Sequence, residues 1–371
     1  MATTYAVYYR YPNGSLAERN PIEFSALEYA RSENAVGAVT VTMPGIYPLN
    51  YFQEDGIFEI YRSVNGGTYT IDMETAWFIR KIQIGTSGDG EDYMIVTALD
   101  CNHLLDRRIV AYENGTAYTD KNGVADDVMK DIIRENFGVA VFDVTRNLSA
   151  FISVDGNSSL GTIEVKEIGW AGVKQALDDL ANASLGNGVR LFYDLRYLGN
   201  MQFRFSTWKD YRGVDRTSDS ANPLIVSIEN GNLSDPELVL DYTQEYNYIY
   251  AVGRGEDNWV TEQEVADAAR IGKSPFNRCE LRYNARYCDS AASVASEAKN
   301  ALAEFRPRAF FNGTILQTPN NIYGIHFGFG DLVTVSYKGF SFDARIATGR
   351  IKVDSGNGEE IEMRLMGDFS I

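Results

Sequence analysis

The residues with the clearest potential for chemistry are grouped around His103, which is close along the chain to Asp100, Cys101 and Asp106. An imidazole beside carboxylates and a thiol is a set used for acid–base catalysis or metal binding. The other histidine, His326, is remote in the sequence, and no spacing typical of a metal site occurs. We therefore interpret His103 as a partly buried structural histidine, and we predict no catalytic residue, no metal and no cofactor.

Two adjacent arginines, Arg107 and Arg108, form the other group that could bind a ligand. They could hold an anion, but neighbouring arginines after an acidic residue more often form ion pairs. The glycine-rich runs at 253–256 and 328–331 lack the Lys-Ser/Thr that follows in a phosphate loop. The abundant carboxylates mark no specific pair. We predict that the protein is not an enzyme, and that Arg107 and Arg108 anchor a junction between two domains.

The overall charge argues against a nucleic-acid-binding protein. The chain of 371 residues carries 34 Lys plus Arg against 51 Asp plus Glu, a formal charge of −17. Stable binding to phosphates needs clustered cations. We therefore predict no stable binding of nucleic acid.

The cellular compartment is indicated by the cysteines and by the N-terminus. Three cysteines are too few for a disulfide framework; Cys279 and Cys288 could pair, but reduced thiols are favoured. No signal peptide is visible, and no apolar run approaches the roughly 20 residues that span a bilayer. We predict synthesis in a cytoplasm and no membrane insertion.

Two similar hairpins are the clearest structural elements that the sequence predicts. Residues 80–100 and 349–368 each contain a basic alternating run, a glycine-rich turn and a second alternating run. The turns read SGDGED at 87–92 and SGNGEE at 355–360. Asp-Gly and Asn-Gly suit the positive φ angles of tight hairpin turns, and the alternation predicts strands with one face toward a core.

A second matching pair lies upstream of each hairpin. Residues 52–61 and 329–337 each combine a turn containing Asp and Gly with a strand of β-branched or aromatic residues. Two matches in the same order indicate an internal duplication, one small β-domain used twice. The glycines and aspartates that we predict to set the paired turns are Asp55, Gly56, Gly88, Gly90, Gly330, Asp331, Gly356 and Gly358.

The fold class predicted from these patterns is a β-rich α+β protein with two related antiparallel β-barrels. Residues 1–110 form the first barrel, 111–189 an inserted α+β domain, 190–245 returning strands and a connection, and 246–371 the second barrel. Helical periodicity predicts helices over 123–136, 170–183 and 290–305, the last capped by Asp289. Residues 139–144 and 161–165 are predicted as strands.

An ordered set of motifs resembles a known family. The motifs are LLDRRIVAY at 104–112, ADDVMK at 125–130, GVDR at 213–216, GNL at 231–233 and FGFGDLV at 327–333. Together they are similar to the tail-tip or baseplate hub proteins of long-tailed phages, whose architecture is like that of the trimeric hub of contractile tails. The resemblance extends over essentially the whole chain.

The resemblance implies tube-like barrels and a role in the virion. Hub proteins of this family carry two such barrels per chain, so a homotrimer presents six similar domains in a ring. That ring would adapt a sixfold tail tube to a threefold tip and leave a channel for DNA and the tape-measure protein. The implied partners are other copies of the chain, a hexameric distal tail protein, the tape-measure protein, and a distal spike, fibre or lysin. Relatives often continue into a lysin or carbohydrate-binding region, whereas this chain ends at Ile371, so a wall-degrading role is not expected.

A carbohydrate-binding or carbohydrate-active β-protein that acts on the host surface is the alternative. The acidic charge, the many tyrosines and the tryptophans Trp77, Trp170, Trp208 and Trp259 are compatible with sugar stacking. A duplicated barrel with an α+β insertion argues against it, because sugar binding requires neither.

Overall fold

The computed structural model describes residues 3–112, 119–254, 260–285, 288–354 and 358–369. The strands that precede the insertion are β1 Thr3–Arg10, β2 Ala26–Ser32, β3 Ala38–Pro44, β4 Ile57–Val64, β5 Thr70–Ile71, β6 Trp77–Thr86 and β7 Asp92–Asp100. The central strands are β8 Thr119–Val124, β9 Ile152–Val154, β10 Ile163–Ile168, β11 Leu191–Gly199 and β12 Gln202–Lys209. The last strands are β13 Asp215–Arg216, β14 Ile225–Ser227, β15 Leu233–Asp241, β16 Tyr248–Arg254, β17 Val260–Ala266, β18 Glu280–Ala285, β19 Arg308–Ile315, β20 Leu332–Tyr337, β21 Phe340–Asp354 and β22 Gly358–Phe369.

The described helices contain far fewer residues than the described strands. They are α1 His103–Asp106, α2 Ala125–Phe137, α3 Val173–Gly186, α4 Ala268–Ile271 and α5 Ala291–Glu304, with 3₁₀ turns at Asp72–Glu74 and Val144–Arg146. Among these helices, none has the length and apolar character needed to cross a bilayer. The protein is therefore mostly β, with largely antiparallel sheets.

Fourteen of the described strands form one sheet rather than two separate ones. Its main order is β1-β4-β6-β7-β3-β2-β21-β22-β19-β15; β13 and β14 pair with β20, which pairs with β21, and β5 pairs with β4. The order β4-β6-β7-β3-β2 is repeated as β20-β21-β22-β19-β15, and the corresponding pairs are all antiparallel. We call these two sets of strands the first and second copy.

The two hairpins also share an irregularity. The β6–β7 ladder has a bulge between Ile79 and Lys81, and the β21–β22 ladder has one between Ile346 and Thr348. Counting from these bulges matches Ile84 to Ile351 and Asp92 to Glu359. The similarity of the turns in the sequence had instead aligned Asp92 with Glu360. A slip of one residue exchanges the two faces of a strand, so the ladder gives the equivalence of the paired strand residues.

The two copies are joined edge to edge and share a core. β2 pairs with the C-terminal half of β21, from Ala26 opposite Asp354 to Ser32 opposite Thr348. The apolar faces of both copies form one cluster, in which Leu27, Trp77 and Ile351 are completely buried. The alternation that predicted the strands thus produces a single core.

The inserted domain is larger than its predicted range of 111–189. β11 pairs with β12, which also pairs with β9, and together with α2 and α3 these strands surround a second core. These strands begin at Leu191, inside the segment predicted to return to the barrels. Only β13 and β14 of that segment, together with β15, join the large sheet.

The predicted range 246–371 likewise holds two sheets. β16 pairs with β17 and β18 in a sheet of three strands, which α5 covers to make a third core. The second copy proper consists of β15 and the strands from β19 onward. Helix α5 also packs against α3 and β10 of the inserted domain.

The three longer helices are confirmed within three residues at each end. Two details were wrong. The N-cap of α5 is Ser290, whose side chain accepts a hydrogen bond from the Ser293 amide at 3.1 Å, and not Asp289. Residues 139–144 form no strand, because Val139 and Val144 are exposed and have no core to cover.

Candidate functional site

The turns before β4 and β20 have the same backbone geometry. Asp55 has a φ of +62° and Gly330 a φ of +86°. The Asp55 amide donates to the Ile79 carbonyl at 3.4 Å, and the Gly330 amide donates to the Ile346 carbonyl at 2.9 Å. Ile79 donates back to Gly56, and Ile346 donates back to Asp331, both at 2.9 Å. Each turn therefore closes onto the bulge of its own hairpin.

The carboxylates of these two turns reach different neighbours. Asp55 Oδ1 accepts from Arg80 and from Arg107 at 2.7 Å each. Asp331 accepts from the Val214 amide at 2.7 Å and from Arg216 Nε at 2.6 Å, so it ties the connecting segment to the second copy. Gly56 has a steric reason to be glycine, because a Cβ there would lie 2.6 Å from the ring of Tyr9.

Arg107 and Arg108 point to different domains. Arg107 pairs with Asp55 in the first copy, whereas Arg108 Nη1 donates to the carbonyls of Asn136 and Arg146 in the inserted domain, at 2.5 Å each. The Arg108 guanidinium also lies over the Phe137 ring, 4.4 Å from its centre. Burial, reinforced by the charges of Arg146 and Arg107, lowers the pKa of Arg108. These contacts are the ones that a junction role requires, and the role itself stays a prediction.

The hairpin turns are described in part. Gly90 has a φ of +83° and Gly358 a φ of +81°, a region that favours glycine. Gly88 has open space around a would-be Cβ. Gly356 lies outside the described residues, so its predicted equivalence with Gly88 stays a prediction.

A buried ion network, which the sequence did not indicate, joins the first copy to the inserted domain. Arg31 Nε donates to Asp100 at 2.8 Å, and Arg31 Nη2 donates to Asp194 at 2.7 Å. Arg212 reaches the other oxygen of Asp194 at 2.7 Å. Burial alone would raise the pKa of Asp194, but Arg31 and Arg212 outweigh it and lower that pKa. Burial raises the pKa of Asp100 to about 6, against the opposing effect of Arg31.

A second polar network joins the two copies across the shared core. Arg62 in β4 donates to both carboxylate oxygens of Glu359 in β22, at 2.9 and 3.0 Å, and to the Tyr323 carbonyl at 2.8 Å. The Tyr323 hydroxyl donates to Asp72 at 2.8 Å. Tyr29 donates to the same carboxylate. Strand β2, which carries Tyr29, was not predicted from the sequence. The alternation of Leu27 and Tyr29 with polar residues was the signal that could have revealed it.

The pKa values of Cys101 and His103 are shifted in the directions that disfavour a thiolate and an imidazolium. Cys101 is buried against Thr75 and Ala76, and burial raises the pKa of its thiol to about 12. Burial, and then the charge of Arg80, lowers the pKa of His103. Within the described part of the chain, no three His, Cys, Asp or Glu residues are placed to hold a metal ion. The three cysteines are free thiols.

The tryptophans do not gather at one surface. Trp77 is fully buried in the shared core, and Trp170 is exposed beside Tyr112, with ring centres 4.8 Å apart. The Trp208 ring lies under the guanidinium groups of Arg196 and Arg212. Trp259 lies outside the described residues. The described tryptophans therefore form no common platform for a sugar.

The sheet face that points away from the core carries paired charges. Arg350 contacts Glu28 at 2.5 Å and Glu362 at 3.8 Å, and Arg364 contacts Glu362 at 2.6 Å. Lys352 lies opposite Glu360 in the β21–β22 ladder. The basic side chains of β21 and β22 on this face thus lie beside carboxylates.

Among the described strands of the large sheet, the C-terminal half of β6 and the whole of β15 each have a partner strand on one side only. The C-terminal half of β6, residues 81–86, pairs only with β7 among the described strands, and Ile82 and Ile84 are 38% and 39% exposed. The last strand of the main order, β15, pairs only with β19 within the described residues. We call these the β6 edge and the β15 edge.

Comparison with known proteins gives a consistent result. The family model described as Siphovirus ReqiPepy6 Gp37-like protein matches residues 9–365. A 43 kDa tail protein of prophage MuSo2 from Shewanella oneidensis has a similar structure, with a TM-score of 0.58 and 13% identity over 98% of this chain and 100% of its own. The tail protein from Neisseria meningitidis MC58 has a TM-score of 0.54 and 13% identity, over 98% and 96%.

Prophage tail protein gp18 from Listeria monocytogenes EGD-e is a third structural neighbour, with a TM-score of 0.54 and 10% identity over 98% of this chain and 94% of its own. At these identities the similarity concerns the fold. A comparison with curated protein sequences finds no significant match.

Proposed function

Because the chain belongs to the Siphovirus ReqiPepy6 Gp37-like protein family and is thus a phage tail protein, we propose that it is the trimeric hub at the distal end of the tail. The observation that carries the proposal is the strand order that occurs twice within one sheet. A ring of six tube subunits can meet a threefold tip if each tip subunit presents two similar units. Three copies of this chain present six.

The contacts between the copies support this role. A subunit that contributes two units to the ring must hold them in a fixed relation, because the ring would otherwise lose its regular spacing. The β2–β21 pairing, the shared core and the buried Arg62–Glu359 pair provide that rigidity within one chain. The inserted domain, fastened by Arg31 and Arg108, lies outside the repeated strands.

The hub's channel would carry DNA and the tape-measure protein. A wall that gripped phosphates would slow the exit of DNA, because each cation contact adds affinity. The paired charges on the outer sheet face support this function, since Arg350 and Arg364 are neutralised by carboxylates. We assign this face to the channel. The neighbours we propose are a hexameric distal tail protein, the tape-measure protein, and a distal spike, fibre or lysin.

The proposal is tested by counting copies at the tail tip. A reconstruction of the assembled tail by electron cryomicroscopy should resolve three chains around the axis, with the first and second copies alternating in a ring. Two or six chains at the tip would overturn the hub proposal. So would three chains whose two copies lie at unequal distances from the axis.

A further inference from the structure

We propose that the β15 edge of one chain adds to the β6 edge of the next and makes the sheet continuous between chains. The partner is therefore a second copy of this chain. The inference rests on the ring in the proposed function for its closure, but the pairing follows from the repeat inside one chain. It assigns a specific register to a contact that the family relationship leaves open.

The first step is the junction already present within the chain. β2 is the last strand of the first copy, and it pairs with the C-terminal half of β21 in the second. By the equivalence of the copies, β15 corresponds to β2 and β6 corresponds to β21. The counterpart of the β2–β21 junction is thus a β15–β6 junction. β15 ends the main strand order, and six strands separate it from β6, whose C-terminal half is left open because β4 pairs with β6 only at Trp77 and Phe78. The repeat therefore calls for this junction between chains.

The second step is the exposure of the matched residues. Ile351 is 0% exposed because β2 covers it, whereas its counterpart Ile84 is 39% exposed. Ile84 lies opposite Met94, which is buried, so its side chain is on the core face of the sheet. A core-facing isoleucine at an open edge lacks the neighbour that the other copy has. Apolar residues of an added strand would supply it.

The β15 edge offers those residues. Leu233 is buried, and Leu238 packs against the shared core, both on the side from which Leu27 covers β21 in the internal junction. Transferring the β2–β21 register places Leu238 opposite Ile82, Glu237 opposite Gln83 and Leu233 opposite Thr86.

Charge and strand shape agree with the transferred register. It sets Val239 of β15 opposite Lys81 and Glu237 on the diagonal from Lys81, which pairs opposite charges on the outer face. Asp235 has a φ of +48°, and with Pro236 it forms a bulge in the β15–β19 ladder. Proline and a bulge are tolerated at a sheet edge and restrict the pairing there, so the register is set by Glu237 onward.

Disulfide trapping tests the pairing in the assembled tail. Lys81→Cys combined with Val239→Cys, in a Cys279→Ser background, should give covalent ladders that end at the closed ring after mild oxidation. Thr86→Cys with Val239→Cys is the matched control, because these positions are out of register and on opposite faces. Ladders from the first pair alone support the proposal. Absence of ladders, or ladders of equal yield from the control pair, overturns it.

A substitution at the β6 edge gives a second readout. Ile84→Asp should weaken self-association by more than about tenfold while leaving the fold of the chain intact, because the side chain is already partly in solvent. Ile163→Asp, at a more exposed isoleucine of the inserted domain, is the control and should change nothing. Equal association of both variants in sedimentation experiments would overturn the pairing.

The two proposals fail in different ways. If the ring contains a number of chains other than three but still cross-links at 81 and 239, the hub function is refuted and the strand pairing is supported. If the ring is threefold but that cross-link does not form, the strand pairing is refuted and the hub function is supported.

Discussion

Arg62 and Glu359 lie 297 positions apart in the chain, and their side chains form two hydrogen bonds across the boundary between the two copies. Both side chains are largely buried, and the arginine also stacks over the Tyr323 ring, 4.9 Å from its centre. The pair therefore fixes how the two copies are oriented relative to each other. Its removal would leave an unpaired charge in the interior.

The first prediction follows from that pair. Arg62→Ala should lower the free energy of unfolding by about 3–5 kcal/mol, since Glu359 and the Tyr323 carbonyl lose their donor in a buried setting. The control is Arg364→Ala, which breaks an exposed pair with Glu362 and should cost less than about 1 kcal/mol. Urea titration followed by tryptophan fluorescence measures both. Equal losses would contradict the prediction that the buried pair between the copies contributes more to stability than the exposed pair does.

The second prediction concerns Gly330. Gly330→Ala should lower the free energy of unfolding by about 1–3 kcal/mol, because its φ is +86° and a Cβ would lie 3.0 Å from Arg212 Cβ. Gly156→Ala is the control, with open space and no positive φ. Thermal unfolding distinguishes the two. A neutral effect at Gly330 would contradict the role we predict for this turn.

The two turns show which features of the fold could be predicted from the sequence. Glycine and aspartate at Asp55–Gly56 and Gly330–Asp331 indicated two turns of one kind, and their φ angles and hydrogen bonds agree. The register could not be read in the same way. The bulges beside Arg80 and Ala347 leave no mark on the hydrophobic alternation, so the turn motif misaligned β22 by one residue.

Contacts between distant segments were also out of reach. Arg31 and Arg62 look like ordinary surface residues in the sequence, because their partners Asp194 and Glu359 come from other parts of the chain. The same applies to β11 and β12: their alternation predicted strands, but only the partner β9 determines that they belong to the inserted domain. Local sequence patterns predict individual strands and helices. Which strands and side chains then pair with each other depends on contacts that exist only in the folded core.

The third prediction tests the junction assigned to the paired arginines. Arg108→Lys should lower the free energy of unfolding by about 1–2 kcal/mol, because an ammonium group cannot reproduce the planar contacts with two carbonyls and the Phe137 ring. Arg107→Lys is the neighbouring control, and its more exposed pair with Asp55 should lose less than about 1 kcal/mol. Hydrogen exchange should also rise at the end of α2 in the Arg108 variant alone. Unchanged exchange there would contradict an anchoring role.

The fourth prediction is a pH dependence that arises from Asp100. Its pKa is raised from 3.8 to about 6 in the folded protein, so between these values the folded state binds the proton more tightly than the unfolded state does. The contribution of Asp100 to stability is therefore greatest below pH 4 and decreases as the pH rises toward 6, by up to about 3 kcal/mol. Asp100→Asn should remove this slope. Parallel unfolding curves of both proteins across that range would contradict the prediction.

The last prediction connects the charge on the outer face to the passage of DNA. Glu28 and Glu362 neutralise Arg350 and Arg364 on that face, which we assign to the channel. The assembled ring should therefore not bind duplex DNA at physiological salt. Glu28→Gln combined with Glu362→Gln frees two arginines per chain, and DNA affinity should then rise and fall steeply with added salt, as counterion release requires. Asp219→Asn with Glu229→Gln makes the same change of charge at exposed positions elsewhere and should leave DNA binding unchanged. Filter binding over a salt series measures all three rings, and tight binding by the unaltered ring would refute the channel assignment.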